Sequence, residues 1–405
     1  MEKILKKKIL IVSEVFYPEE FKINELAIEW KNRGYEVDVL TMVPSYPKSE
    51  IFDGYKNKWY QREIWNDITI YRVKAVTGYK TKLFKKLLKY FAFMFMGSVI
   101  SLKIGKKYDY IFGFDVGPLT GMIPAIILKQ FYKKPVTIWI QDIWPDSVYA
   151  YGFKKSKILE LFLNSLVKYV YRNTSNFAIS AKGFEKKILP YLNSNKEIFY
   201  APNWADYFNR DLEKFQFTND DKINFTFAGN IGSVQNLENI IESFGKLNDE
   251  YLSKSQLNII GDGSNLEKLK NIVEEKNLEN IIFWGRKPRE EIYKYLNASD
   301  FLLVSLIDKE IFSLTVPAKT QTYIATAKPI IAIIKGEAAD IIKENNLGLV
   351  VSPTDIEQIK YTFEIAISKN EEERKIYIKN SEFLTNTIFN KKIVIDNLLE
   401  LLKRG

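Results

Sequence analysis

The stretch Phe312–Ile334 (FSLTVPAKTQTYIATAKPIIAII) holds a turn-setting proline, a lysine between apolar runs, a helix start and a strand. Pro317 presets the turn. Thr320, Gln321, Thr322 and Tyr323 fall at the start of a helix, where the dipole favours anions. Lys319 sits among apolar neighbours and is less suited than most lysines to be a solvated surface charge. Three glycine-bearing loops point to the same chemistry: Gly229-Asn230-Ile231-Gly232, Gly261-Asp262-Gly263 and Gly285-Arg286. A loop entering a helix N-terminus offers backbone N–H groups to phosphate oxygens, and glycine lets the backbone approach closely. Read together, these residues suit a nucleotide diphosphate, with Arg286 and Lys319 neutralising it without a metal ion. Each glycine also has a plain use in a turn, and each cation a plain use on the surface.

A second set lies in the first half. Asp142 and Asp146 bracket Trp144-Pro145 just after the apolar run Val136–Ile140. Carboxylates beside an aromatic at a strand end can bind sugar hydroxyls or handle a proton. Asp146 equally suits capping of the turn that follows. Glu19, Glu20 and Lys22 line the first loop and are candidates for contact with a second substrate.

Composition narrows the chemistry. The 405 residues contain no cysteine and no histidine, which removes disulfides, thiolate catalysis and the commonest general base. A zinc site would need carboxylate ligands alone, so no metal is expected. The net charge of +9 favours anionic partners. The basic residues are spread and no recognition motif is present, so a nucleic-acid partner is not expected.

These residues need strands to carry them. Ile9–Val12, Glu36–Thr41, Ile68–Val73, Tyr110–Phe114, Val136–Ile140, Asn176–Ser180 and Ile198–Ala201 read as strands, with helices at Asn24–Asn32, Pro118–Tyr132 and Lys157–Arg172. Ile51–Tyr60 reads as an aromatic loop. The first apolar run is too short for a signal peptide. The polar run Asp206–Lys222 reads as a linker, dividing the chain into 1–205 and 206–380. Beyond it the alternation restarts, with strands at Asn224–Ala228, Gln256–Ile260, Ile281–Trp284, Phe301–Ser305, Ile330–Ile334 and Gly348–Val351. Ile356–Asn380 and Glu382–Leu402 read as helical. The expected class is α/β: two Rossmann-like parallel-sheet domains facing across a cleft. Between them in interest is the segment Lys80–Lys107. Its lysines surround Leu83, Phe84, Leu87 and Leu88, and Tyr90–Leu102 is uncharged. It reads equally as a buried helix with solvated lysines or as a helix lying on an anionic membrane surface.

The segments FYPEEFKINELAIEWKNRGYEVDVLT, IQDIWPDSV, FAGNIGSVQNLENII, IIGDGSNLEKLK and FSLTVPAKTQTYIATAKPIIA, in this order, resemble glycosyltransferase family 4, the GT-B fold. They are most similar to bacterial L-fucosamine transferases of O-antigen and capsule synthesis. The resemblance implies retaining, metal-independent hexosyl transfer from a UDP-sugar co-substrate, with no further cofactor, to a lipid-diphosphate-linked saccharide. The protein is expected in the cytoplasm, and the basic segment Lys80–Lys107 motivates a peripheral place on the inner face of the cell membrane. The resemblance places the donor on the C-terminal domain: Gly229, Asn230 and Gly232 at the diphosphate, Arg286 by the base or phosphates and Tyr323 near the ribose. Gly261, Gly263 and Thr322 are donor-site candidates from their loop and helix-start positions. By the same resemblance, residues 381–405 would form a helix crossing back to the N-terminal domain, which holds the acceptor.

The chain departs from the family pattern in three respects. The glutamate pair that precedes the helix falls on Leu314 and Thr322, so Glu337 is the candidate for the ribose. The usual arginine and lysine after the first donor-domain strand are replaced by Asn230 and Gln235, which leaves Lys319 as the main diphosphate cation. The usual histidine is Gln141, which leaves Asp142 as the nearest proton acceptor. An epimerase of similar fold would need acid and base groups that usually include histidine; a non-catalytic nucleotide-binding scaffold remains the other alternative.

Overall fold

The computed structural model describes residues 6–79, 83–150, 153–193, 196–205, 213–217 and 221–404. Lys80 and Lys82 of the basic segment, and residues 206–212 and 218–220 of the expected linker, lie outside them. Chain contacts divide the protein into one unit of Met1–Pro202 with Val394–Gly405 and a second of Asn203–Ile393.

The first unit is built on β1 (Lys8–Val12), β2 (Glu36–Met42), β3 (Tyr60–Trp65), β4 (Ile68–Val73), β5 (Tyr110–Asp115), β6 (Val136–Ile140), β7 (Asn176–Ile179) and β8 (Ile198–Tyr200). Their order across the sheet is β3-β4-β2-β1-β5-β6-β7-β8. Every neighbouring pair is parallel except β3 and β4. The central strands are apolar throughout because helices cover both faces of a parallel sheet. The antiparallel edge strand β3 was not expected from the sequence. It alternates between exposed and half-buried positions, so it carries no apolar run. A two-residue turn at Asn66 and Asp67, with φ of 49° and 54°, folds it back onto β4. Arg72 of β4 is wholly buried and fastens this hairpin to the first loop. Its Nε donates to Glu63 Oε1 at 2.8 Å, its Nη1 to Met42 O at 3.0 Å and its Nη2 to Tyr17 O.

The helices of this unit include α1 (Lys22–Asn32), α2 (Leu83–Ile104), α3 (Ile123–Tyr132), α4 (Asp146–Ala150) and α5 (Lys157–Asn173). The amphipathic spacing of α1 buries Ile23, Leu26, Ala27 and Trp30. Ser156 caps α5, accepting from Leu159 N at 3.2 Å. The C-terminal region is not the two long helices that the sequence suggested. It forms helices at Ile356–Ser368, Glu371–Asn386 and Lys391–Lys403. Asn370 and Glu373 form a capping box that starts the second of these inside the expected first helix. In the first unit, Asn176 Nδ2 donates to Leu401 O at 3.0 Å and Arg33 pairs with Asp396 at 3.0 Å.

The second unit has β9 (Ile223–Ala228), β10 (Ser255–Ile260), β11 (Ile281–Gly285), β12 (Phe301–Ser305), β13 (Ile330–Ile333) and β14 (Gly348–Val351), ordered β11-β10-β9-β12-β13-β14 and all parallel. Side chains alternate between the two faces of such a sheet. Leu302, Val304, Ile330 and Ala332 therefore join one apolar core, and Phe301, Leu303, Ile331 and Ile333 the other.

Candidate functional site

In the second unit, glycines stand at the carboxyl ends of β9, β10 and β11. Gly229 N donates to Ile260 O and Gly261 N to Gly285 O, both at 2.9 Å, so the strand ends stay laced beyond the sheet. Gly261 has φ of +142°, and a Cβ there would stand 1.8 Å from Gly229 O. Only glycine fits, and the backbone is left bare on the ligand side. Gly229, Asn230, Gly261, Gly263 and Arg286 line one cavity of about 530 Å³ with Asp262, Lys287 and Ile292.

Lys319, in the first turn of the helix Ala318–Thr326, adjoins this cradle. A Cβ added to Gly229 would lie 3.1 Å from its Nζ. The Nζ is sealed from solvent, has no hydrogen-bond partner among the described residues, and lies 3.6 Å from the centroid of the Phe227 ring. Burial pulls its pKa down from 10.5 to about 7. A buried ammonium without a counter-charge costs stability, so this position is matched to an anion arriving from outside.

The other expected donor residues are placed differently. Tyr323 is buried, and its hydroxyl accepts from Ala228 N at 3.0 Å and donates to Ala228 O at 3.2 Å. It pins the end of β9 and leaves no hydroxyl hydrogen for a ribose. Thr322 donates back to Ala318 O at 3.5 Å, and Gly232 N donates to Gln235 Oε1 at 2.9 Å. Glu337 begins the helix Glu337–Glu344, just after β13, and is buried. Neither these four nor Lys319 is among the residues that line the cavity; Lys319 reaches it only through its approach to Gly229.

In the first unit a cavity of about 450 Å³ is lined by Tyr46, Tyr79, Tyr90, Trp144, Lys86, Lys89 and Asp142, among others. Flat aromatic faces suit sugar rings, and the lysines suit an anionic group. Three neighbouring strands each deliver a carboxylate at this edge. Asp115 ends β5, Asp142 follows β6 by two residues and Glu14 follows β1 by two. Asp142 Oδ1 accepts from Ile143 N at 2.9 Å and Asp115 Oδ1 from Gly117 N at 3.2 Å, while the Oδ2 atom of each is buried without a hydrogen bond. Glu14 Oε2 lies 3.4 Å from Lys89 Nζ of α2. Burial raises all three acids, Asp142 to about 6, Glu14 to about 7 and Asp115 to about 8, with the Asp142 charge adding to the last. Carboxyls held near neutrality can take or release a proton. Glu14 and Asp115 were not singled out from the sequence, although each shares with Asp142 the signal of an acid at the end of an apolar strand.

The remaining first-unit candidates differ in use. Glu19 is buried and accepts from Ser45 N at 2.8 Å, Tyr46 N at 2.7 Å and Phe16 N at 3.3 Å. It holds the loop that carries Tyr46 into the cavity wall. Glu20 is exposed, Lys22 lies 4.0 Å from Glu25, and Asp146 starts α4 and pairs with Lys187 at 2.8 Å.

Residues 209–382 match the family model described as glycosyl transferases group 1. The chain is 28% identical over 253 residues to the probable glycosyltransferase WbjE of Pseudomonas aeruginosa, covering 58% of this chain and 62% of that protein. It is 24% identical over 322 residues to the putative colanic acid biosynthesis glycosyl transferase WcaI of Escherichia coli (strain K12), covering 73% and 76%. Among solved structures it superposes on Anabaena HepE in complex with UDP and glucose, with a TM-score of 0.66, 12% identity, and coverage of 99% of this chain and 100% of that one. The two parallel-sheet units have the GT-B fold, and the match to the group 1 model lies within the second unit.

Proposed function

We propose that this protein is a retaining, metal-independent hexosyltransferase of surface polysaccharide synthesis. It moves a sugar from a UDP-sugar to a lipid-diphosphate-linked saccharide. The observation that carries the reading is the unpartnered, buried Nζ of Lys319 beside the Gly229–Gly261 cradle, inside the segment that matches the group 1 model. UDP is favoured because HepE, of the same fold, was solved with UDP and glucose. Polysaccharide synthesis is favoured because WcaI is named for colanic acid biosynthesis. An N-acetylated deoxyhexosamine such as L-FucNAc is the proposed sugar, on the motif resemblance alone.

In the proposed reaction the bond from the sugar anomeric carbon to the β-phosphate oxygen breaks and a bond to the acceptor oxygen forms on the same face. The acceptor hydroxyl proton passes to the departing phosphate. Lys319 and Arg286 stabilise the charge that gathers on that phosphate. Asp142 orients the acceptor hydroxyl from the wall of the aromatic cavity.

The test is thermal stabilisation by a panel of UDP-, GDP- and dTDP-sugars, with and without EDTA, followed by transfer assays with the donor that binds. Stabilisation by a UDP-sugar that survives EDTA is expected. No response to any nucleotide-sugar would remove the reading.

A further inference from the structure

The helix α2 has its two sides in opposite use. Phe93, Met96 and Ile100 are buried against the unit, and Lys86, Lys89 and Tyr90 line the aromatic cavity. The solvent side carries Phe84, Leu87, Leu88, Phe91, Phe95 and Val99, with Phe84 75% and Phe95 71% exposed. These residues recur at three- and four-residue steps, so the outward stripe of a surface helix is apolar, the reverse of the usual pattern. By length and composition Phe84–Lys107 is apolar enough to cross a bilayer. Its buried side, packed on the protein, fits lying on one instead.

A second stripe of the same kind runs along α5. Ile158 and Leu161 are 85% and 70% exposed, and Phe162 and Tyr169 continue the line. The helix α3 packs between the two. Tyr132 Oη of α3 donates to Leu102 O of α2 at 2.6 Å, and Tyr169 Oη of α5 to Gln130 Oε1 of α3 at 3.1 Å. At their other ends, Lys86 Nζ of α2 lies 5.2 Å from the centroid of the Phe153 ring, just before α5. Phe131, on α3, is exposed as well. Charge around this layer is one-sided. Residues 83–107 hold six lysines and no acid; Lys89 pairs with Glu14 and Lys107 with Asp38, and the other four are Lys85, Lys86, Lys103 and Lys106. Residues 153–173 hold Lys154, Lys155, Lys157, Lys168 and Arg172 against Glu160 alone.

We propose that the α2–α3–α5 layer is a docking surface for an anionic phospholipid bilayer, in which both apolar stripes enter the acyl boundary and the lysines meet the headgroups. Apolar side chains at the acyl boundary combined with lysines on phosphates give the two signals that stable peripheral binding requires. The proposal deepens the glycosyltransferase reading and rests on it for the cargo. α2 would present its outer side to the membrane while its inner side lines the cavity for the lipid-linked acceptor.

The experiment is co-sedimentation of the full chain with vesicles of phosphatidylcholine alone and of phosphatidylcholine with one-third phosphatidylglycerol. Binding to the second kind, weakened by salt, is expected. The paired variants Phe84→Asp/Phe95→Asp and Ile158→Asp/Leu161→Asp should each weaken it by about tenfold or more, because each charge opposes burial of an apolar stripe. Stabilisation by UDP, measured on the same samples, reports that the donor unit is intact. A wild-type protein that stays in the supernatant overturns the proposal, as does an α5 pair that sediments like wild type. A lipid-free dimer that the same variants convert to monomer would assign the surface to a second copy and equally overturn it. Vesicle binding without any UDP response would instead leave docking standing and count against the glycosyltransferase reading.

Discussion

The Nζ of Lys319 stands 3.6 Å from the centroid of the Phe227 ring, and among the described residues no hydrogen-bond partner reaches it. The free protein therefore carries a cation that costs stability until an anion arrives. Lys319→Met keeps the bulk of the stem and removes the charge. The variant is expected to be more stable than wild type by roughly 1–3 kcal/mol. It should lose most of its UDP-induced stabilisation. Parallel thermal scans with and without UDP read both effects; a less stable variant that still responds fully to UDP would contradict this role.

The same residue links binding to pH. Its folded-state value of about 7 lies below the ordinary 10.5, so the folded protein binds fewer protons than the unfolded chain across that window. The destabilisation is full below about 7 and is relieved as pH rises toward 10.5. A bound diphosphate favours the ammonium, so UDP binding should take up a proton within the window. Calorimetry of UDP binding in two buffers of different ionisation heat measures the uptake. Zero uptake in mid-window, with Lys319→Met showing the same, would sink the idea.

The carboxylates of the first unit run in the opposite direction. Burial, with the Asp142 charge, raises Asp115 from 3.8 to about 8, so the folded state binds more protons than the unfolded chain between those values. Its stabilising contribution is complete below 3.8 and is lost as pH rises through 8. Asp115→Asn should flatten the fall in stability of the first unit over this range, with a difference on the order of 2 kcal/mol at its alkaline end. Denaturation followed at both ends of the range decides it; parallel curves for variant and wild type would be the contrary result.

Gly261 and Gly285 separate space from conformation. A Cβ on Gly261 would meet Gly229 O at 1.8 Å, whereas one on Gly285 meets nothing within 4 Å, although both have positive φ. Gly285→Ala is expected to cost about 1 kcal/mol, the strain of a left-handed backbone. Gly261→Ala should cost more than about 3 kcal/mol and abolish UDP binding, since the β9 and β10 ends must part. Equal losses in the two variants would show that close approach of the strand ends is unimportant.

Asp142 faces the aromatic cavity with one oxygen unpaired. Asp142→Asn preserves shape and should leave UDP stabilisation unchanged while lowering transfer by about 10²-fold. If transfer persists at the wild-type rate, Asp142 does not position the acceptor.

Much of the architecture was legible in the chain because buried parallel strands are continuous apolar runs and amphipathic helices carry a fixed period. β1, β6, β9 and β12 announce themselves in this way, and so do the glycine loops after β9 and β10. The edge strand β3 does not, because its solvated alternation resembles a loop until β4 pairs with it. Local pattern likewise marked Lys319 as unusual and Asp142 as placed at a strand end. Only the tertiary structure brought Lys319 against Gly229, turned the Tyr323 hydroxyl onto Ala228, and used the Glu19 carboxylate to hold the Tyr46 loop. It also made one cluster of Glu14, Asp115 and Asp142, because β1, β5 and β6 are neighbours in the sheet. The reason is physical: sequence period reports how each segment is buried, while the meeting of side chains depends on strand order, which is set by packing between segments far apart in the chain.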